Sequence, residues 1–484
     1  MIGDQDRWQE DFFIAGTLRQ FIPQDHILRQ VDKILDLSWL RDEVRDCYNE
    51  RRGRPSIDPE SALRLMLAGY FQGLVHDRKL MREAQVNLAI RWFAGYRLHE
   101  KLPDHSSLTR IRQRWGRDRF RRIFAKTVDM CVKAGLVSCE TVHMDSPLIR
   151  ADVSWRSLTR RHVDDVLKAN HGQEDSEESS DSGGGGVAGG RRVKGRKKEK
   201  RVSRTDPDAT MATSRKDQRL EPTYKQHTSV DDDSGVIVDV ELTTGEVSEG
   251  GMLLDALDRV EGVTGKKVHR VTADGGYSGG SNYAGCEGRD TEAVIPVQPE
   301  SRKVRGMPLR RFKYDAHKDM VVCPCGSRLH RSHRSKHGWV YRARLQDCAG
   351  CANRSRCVPP SMKYRVVQIV DGYPALLRAR RIWQTDGDRL RSWYARHRWR
   401  VEGVQGTGKT QHGLRRAVRR GLSNVAIQVY LTAAVMNLKS LARLFLSLLG
   451  GIQDECSTPG GPPVESDGFF TLGPGIRMGL HATT

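Results

Sequence analysis

Three acidic residues are the chain's candidates for chemistry. Asp145 ends the strand-like run Val142-His-Met-Asp145, and Asp274 ends Lys267-Val-His-Arg-Val-Thr-Ala-Asp274. Glu402 is the only glutamate between Glu300 and Glu455, in a stretch crowded with cations. Carboxylates at the ends of core elements can converge on two divalent cations, one activating an attacking water or hydroxyl and the other stabilising the leaving oxygen of a phosphodiester. Mg²⁺ suits such a set because it prefers oxygen ligands and keeps open water positions. The three lie far apart in sequence, so only folding could bring them together. Each also has a plainer reading. Asp145 can cap the turn before Pro147, with Asp152 as a rival acid; Asp274 before two glycines suits a turn; Glu402 can be an ordinary salt-bridge partner. Arg398 and Lys409, at i−4 and i+7 from Glu402, share its face if the segment is helical.

A second pattern overlaps the first. Gly403-Val-Gln-Gly-Thr-Gly-Lys409-Thr410 fits the phosphate-loop pattern G-x-x-x-x-G-K-[ST], which would make the chain an ATPase. Such a loop works only between a buried strand and a helix, where its backbone N–H groups cradle phosphates. Arg391 to Val401 is no buried strand, and no apolar strand ending in Asp follows Lys409. The helical alternative carries its own cost, since Gly403, Gly406 and Gly408 each destabilise a helix by about 1 kcal/mol relative to alanine. Either packing holds that helix or it breaks near Gly406.

Cysteines form a further constellation. Five of the ten fall between Cys323 and Cys357, as Cys323-x-Cys325 and Cys348-x2-Cys351-x5-Cys357. Tetrahedral zinc takes four N or S ligands, often in C-x2-C pairs. Cys323, Cys348, Cys351 and Cys357 are the candidate Zn²⁺ ligands, with Cys325 or a nearby His as substitutes. Free thiols in a reducing compartment are the alternative.

The elements needed to position these groups are legible in outline. Residues 1–130 have helical periodicity, as in Ile27, Leu28, Val31, Ile34, Leu35 and again in Leu63 to Tyr70. Asp58-Pro59 marks one helix start. Ser106 is a candidate cap for a helix over Leu108–Phe120 that carries Arg110, Arg112, Arg114, Arg117 and Arg119. That helix suits DNA reading or a solvated surface. Strand patterns at Val142–Asp145, Gly235–Leu242, Lys267–Asp274 and Ala293–Val297, with helical patterns such as Met252–Val260 between them, indicate an α/β or α+β unit. The expected organisation is a helical domain at 1–130, a catalytic domain at 131–168 and 205–300, a disordered acidic, glycine-rich and basic insertion at 169–204, a Cys-rich insertion at 301–365, a helical part of the catalytic domain at 366–450 and a disordered tail at 451–484.

Composition bounds the partners. The formal net charge is +21 over 484 residues, an excess that points to a polyanion, nucleic acid above all. The polar start Met1-Ile-Gly-Asp-Gln-Asp-Arg has no apolar run behind it, and the apolar segment Val425–Leu449 carries Asn437, Lys439 and Arg443. The expectation is a cytoplasmic protein with no membrane partner.

A family resemblance joins these pieces. Gly53-Arg54-Pro55 and Leu102-Pro-Asp-His-Ser-Ser-Leu-Thr-Arg-Ile-Arg112 resemble the N-terminal domain of DDE transposases of bacterial insertion sequences. His143-Met-Asp145-Ser and Thr272-Ala-Asp274-Gly-Gly-Tyr277 resemble that family's two catalytic strands, and Arg398-x3-Glu402-x6-Lys409 resembles its C-terminal signature. His412-Gly-Leu-Arg-Arg416, Arg420-Gly-Leu422 and Asn437-Leu-Lys439 continue the likeness, which spans most of residues 20–448. The resemblance implies a ribonuclease-H-like mixed sheet with flanking helices, preceded by an all-α domain, and a catalytic triad of Asp145, Asp274 and Glu402 holding two Mg²⁺, with Mn²⁺ as a substitute. It implies cleavage and strand transfer at the terminal inverted repeats of an element. The double-stranded DNA partners are element ends and target, with Arg398, Lys409, Arg110, Arg112, Arg114, Arg415 and Arg416 as contacts, and the chain a homodimer on DNA. A domesticated or inactive relative that binds DNA without cutting it is the alternative. The chain departs from the family at the signature's tyrosine, whose place falls on Ala395, one residue from Tyr394.

Overall fold

A computed structural model describes residues 16–49, 56–161, 200–213, 219–299, 306–456, 470–471 and 477–478. It forms two compact units, one of Met1–Met130 with Thr407–Thr484 and one of Cys131–Gly406. The boundary falls inside the single helix Gly387–Gln411.

The first unit is helical. In Pro59–Phe71 the Asp58 carboxylate accepts from the Ser61 N–H at 2.9 Å and Pro59 occupies the first turn, where its missing N–H costs nothing. Ten of the helix's residues, Pro59 and Ala62 to Phe71 except Arg64, are buried. The long helix Leu422–Cys456 packs on this one and on Ile27–Asp32. Its segment Leu422–Ser447 is apolar enough to cross a membrane by composition, but 83% of its most apolar window is buried inside the fold. Within the expected helical part at 366–450, Val366–Val370 is a strand, and from Thr407 the chain clusters with the N-terminal helices.

The arginine-rich helix also differs from expectation. It runs from His105 to Lys133, is interrupted at Gly116 (φ 72°, ψ 170°), and is capped by Asp104, whose Oδ1 accepts from the Ser106 N–H at 2.8 Å. Only glycine takes that φ without strain.

The second unit is built on a mixed sheet. Its strands are β1 (Thr141–Asp145), β2 (Leu148–Arg150), β5 (Thr210–Ala212), β6 (Glu221–Asp231), β7 (Ile237–Thr244), β8 (Arg270–Ala273) and β9 (Glu292–Val294). Along the path β7–β6–β1 neighbours are antiparallel, and along β1–β8–β9 they are parallel. β2 continues β1 along one side of β6, and β5 extends the other. The helix Leu253–Thr264 provides the crossover from β7 to β8 and packs on β7. This is the ribonuclease-H-like arrangement that the sequence led us to expect. Two smaller features accompany it. β3 (Leu158–Arg161) pairs with β4 (Lys200–Ser203), so basic residues near the end of the expected 169–204 insertion are a strand; residues 169–199 lie outside the described residues, as does most of the 451–484 tail. Further on, β10 (Lys313–Asp315), β11 (Met320–Val322), β12 (Arg328–Ser335), β13 (Gly338–Arg342) and β14 (Val366–Val370) form a separate antiparallel sheet with its own small core around Val321, Leu329, Tyr341 and Ile369.

Candidate active site

Parallel pairing of β1 with β8 sets the geometry. Met144 lies opposite Ala273, so the residues that follow, Asp145 and Asp274, leave the same end of two neighbouring strands. Asp274 does perform turn chemistry: its Oδ1 accepts from the Gly276 N–H at 2.8 Å and opens the short turn Gly275–Tyr277. Asp145 faces Thr228 across β6, and the next residue is pinned: Ser146 Oγ bonds His227 Nδ1 at 2.8 Å and the Tyr277 hydroxyl at 2.5 Å. Burial raises the Tyr277 phenol, and the charges of Glu249, Asp145 and Asp274 push it further in the same direction. Both aspartates therefore lie within electrostatic reach of one buried hydroxyl.

The helix Gly387–Gln411 is fixed over these strands by side chains of its own. It buries Leu390, His397, Val401 and Gln405, a stripe at helical spacing. His397 Nδ1 meets Thr272 Oγ1 on β8 at 2.9 Å, and Gln405 Nε2 donates to Thr228 Oγ1 on β6 at 3.2 Å. Arg396 Nε donates to Asp232 at 2.5 Å, and Asp232 also holds His143 Nε2 at 2.8 Å. Glu402 lies between the His397 and Gln405 anchors, in line with Tyr394 and Arg398 at successive four-residue steps. The Arg398–Glu402 pair spans 3.6 Å with both side chains about two-thirds exposed, so it adds little to stability.

The arrangement is open. Among the described residues no group of three or more His, Cys, Asp or Glu is close enough together to hold a metal ion. The structure brings Asp145 and Asp274 to one edge and carries Glu402 on a helix anchored to β8 and β6 of the same sheet, but it does not close the three into one cluster. An all-carboxylate donor set at a strand edge fits a hard divalent cation in chemistry.

Two nearby residues were not among the candidates read from the sequence, Tyr394 because it stands one place from the signature's tyrosine. Tyr394 stacks on His397 with ring centroids 5.6 Å apart and planes at 14°. Burial and then the charge of Asp274 push its phenol up, so it stays a protonated donor. Its place one turn before Arg398 was the available signal. Glu249 is the other: its Oε2 and Asp274 Oδ1 both lie against Gly276, and Lys225 pairs with it at 3.1 Å. Only the fold shows this, since Glu249 follows β7 and has no sequence pattern.

Three buried histidines behind the site link it to pH. Burial, then the charge of His143, lowers His397 to about 3; burial, then Lys225, lowers His227 to about 4; burial lowers His143 as well. Unfolded histidine titrates near 6.5, so below that pH the unfolded chain takes up protons that the fold refuses. Stability is full above about pH 6.5 and falls on acidification, by up to about 1.4 kcal/mol per pH unit for each such histidine. Urea unfolding at pH 7.5 and 5.0 should show a clear loss at the lower pH; equal stability at both would contradict neutral burial.

The phosphate-loop reading is overturned. Gly403 to Thr410 are helical, so their N–H groups serve the helix and form no phosphate cradle. Gly408 has a packing reason, because a Cβ there would come within 3.2 Å of Leu414 Cδ1. At Gly403 and Gly406 a Cβ would meet nothing, and the structure offers no steric reason for either.

The expected DNA contacts divide. Arg112 is 2% exposed and paired with Asp77, so it is a structural residue of the helical unit and no DNA contact. Arg119 is likewise spent on the Glu43 carbonyl and the Asp46 carboxylate, and Arg122 on Glu43. Arg110, Arg114, Arg415 and Arg416 are exposed, with Arg114 lying 4.9 Å over the Tyr48 ring. Arg398 is exposed on its helix and Lys409, two turns past Glu402, is half-buried.

Comparison with known families now bears on this fold. The family described as Transposase domain (DUF772) matches residues 16–114, and the family described as Transposase DDE domain matches residues 322–442. No curated protein matches the chain. With a ribonuclease-H-like sheet beside these matches, the chain falls in the class of DNA transposases. Within that class it is a DDE transposase of the insertion-sequence type, an enzyme of a group that acts on DNA and uses divalent metal ions. The second match contains Arg398, Glu402, Lys409 and the clustered cysteines; neither match contains Asp145 or Asp274.

Proposed function

We propose that this transposase binds the terminal inverted repeats of an insertion sequence and catalyses Mg²⁺-dependent cleavage of the DNA ends, followed by strand transfer into target DNA in the cytoplasm. The observation that carries the reading is the exit of Asp145 and Asp274 from one end of two adjacent parallel strands, beneath the anchored helix that bears Glu402. Asp145, Asp274 and Glu402 would hold the two ions, with Mn²⁺ able to replace Mg²⁺. When bound, such ions supply a nucleophilic water or hydroxyl and charge stabilisation at the phosphate. The chain's own residues do the rest. Tyr277 and Ser146 hold the end of β1, and Asp274 fixes its turn. Arg398, Lys409, Arg110, Arg114, Arg415 and Arg416 neutralise DNA phosphates, in keeping with the +21 net charge. Joining two element ends requires two catalytic sites, so the active species is a homodimer on DNA.

The test is incubation of the purified chain with a duplex carrying its element's ends. Cleavage in Mg²⁺ or Mn²⁺, abolished by EDTA, is the expected outcome. Specific binding with no cleavage under any of these conditions would instead mark a DNA-binding relative that has lost its chemistry.

A further inference from the structure

Five cysteines line one small cavity in the β10–β14 region. Cys323, Cys325, Cys348, Cys351 and Cys357 surround a space of about 20 Å³, enough for a single ion or water and too small for an organic ligand. None of them is in a disulfide. Two tight turns deliver them. In Cys323-Pro-Cys325-Gly326 the Gly326 N–H returns to the Cys323 carbonyl at 2.9 Å, with Gly326 at φ 88°. In the second, Cys348 lies one residue before the end of one short helix, Leu345–Ala349, Cys351 precedes the next, and Cys357 closes that helix.

The thiols are not equivalent. Cys357 lies within electrostatic reach of Cys348, Cys323 and Cys351, and Cys351 within reach of Cys323. Cys325 is the exposed member of the group, its Sγ 3.4 Å from that of Cys351 and 3.1 Å from the Asn353 side-chain amide that donates to it. The Arg365 N–H points at Cys348 Sγ at 3.5 Å, the outer contact that orients sulfur ligands. Arg365 and Arg354 also line the cavity and clamp its loops, donating to the carbonyls of Cys357 and Cys348 at 3.0 and 3.1 Å. Four thiolates and one divalent ion leave a doubly negative centre, which two guanidiniums offset.

We propose that Cys323, Cys348, Cys351 and Cys357 bind one structural Zn²⁺ in this cavity, with Cys325 outside the ligand set. The sulfurs are set here for hydrogen bonding rather than coordination, and ligation draws the two turns together. A soft four-sulfur site selects zinc over Mg²⁺, so the centre is distinct from the carboxylate edge in both chemistry and place. Binding releases the thiol protons as the metal replaces them. The region needs such a staple because its own core is small and counts Cys348 and Cys357 among its members.

Zinc content of the full-length chain, purified without chelator, tests this, together with Co²⁺ titration of metal-stripped protein. About one equivalent of zinc and a thiolate-to-cobalt charge-transfer band are expected. Cys351→Ser and Cys348→Ser should weaken zinc binding at least about tenfold, whereas Cys325→Ser and the distant buried Cys286→Ser should not. Cobalt titration of the wild-type chain keeps the test valid if a serine variant fails to fold. Zinc at background with no thiolate band, zinc binding lost in Cys325→Ser but kept in Cys351→Ser, or a Cys325–Cys351 disulfide in the metal-free native chain would overturn the assignment.

Discussion

Asp274→Asn is expected to lower single-turnover cleavage of element-end DNA by at least about 10³-fold, the scale on which losing one member of a catalytic unit registers, while leaving DNA binding and melting temperature close to wild type. The separation of effects follows from geometry. The Asp274 oxygen that caps the Gly275–Tyr277 turn accepts a hydrogen bond from Gly276 N–H, and an asparagine carbonyl oxygen accepts the same bond. What asparagine cannot supply is the negative charge beside Asp145 at the end of the paired strands. A mere turn residue would tolerate the change; cleavage within tenfold of wild type would reduce Asp274 to that role.

Asp77→Ala should be the most destabilising single change in the helical unit, by about 3–5 kcal/mol. Asp77 accepts from two buried guanidiniums, Arg112 and, at 3.0 Å, Arg419, and from the Thr109 hydroxyl at 3.1 Å. Burial and then the neighbouring charge of Arg419 already lower Arg112 to about 10, which measures how unfavourable that charge is away from water. Removing the shared carboxylate strands both cations. The exposed Arg398–Glu402 pair provides the internal contrast: its removal should cost less than about 1 kcal/mol. Urea denaturation of both variants checks the pair. A loss below about 1 kcal/mol for Asp77→Ala would mean that the arginines find other partners or water.

Much of this architecture was legible because its signals are local. The strands that end in Asp145 and Asp274 announce themselves by apolar residues running into an acid, and Asp58-Pro59 carries both the cap and the first-turn proline of its helix. Strand β6 went unread because its buried positions include Thr223, Gln226, His227, Thr228 and Ser229, polar groups satisfied across the sheet rather than an apolar run. The arginine-rich helix misled for the opposite reason. Charge counting sees Arg112 and Arg119 but not Asp77, Glu43 and Asp46, which reach them only through folding. The phosphate-loop pattern likewise matches letters, whereas its function depends on a backbone conformation that the helix Gly387–Gln411 excludes. The packing of Leu422–Cys456 on helices near the start of the chain leaves no local mark either.

The central claim is that a helix-borne Glu402 completes the centre begun by Asp145 and Asp274. It is tested most directly by single-turnover cleavage of labelled element-end DNA in Mg²⁺, comparing Glu402→Gln with Glu249→Gln under conditions where both bind the DNA. Loss of cleavage in Glu402→Gln on the scale of the aspartate variants, with Glu249→Gln retaining substantial activity, is the predicted result. Wild-type cleavage by Glu402→Gln would contradict the account and leave the exposed Glu402 as no more than the surface partner of Arg398.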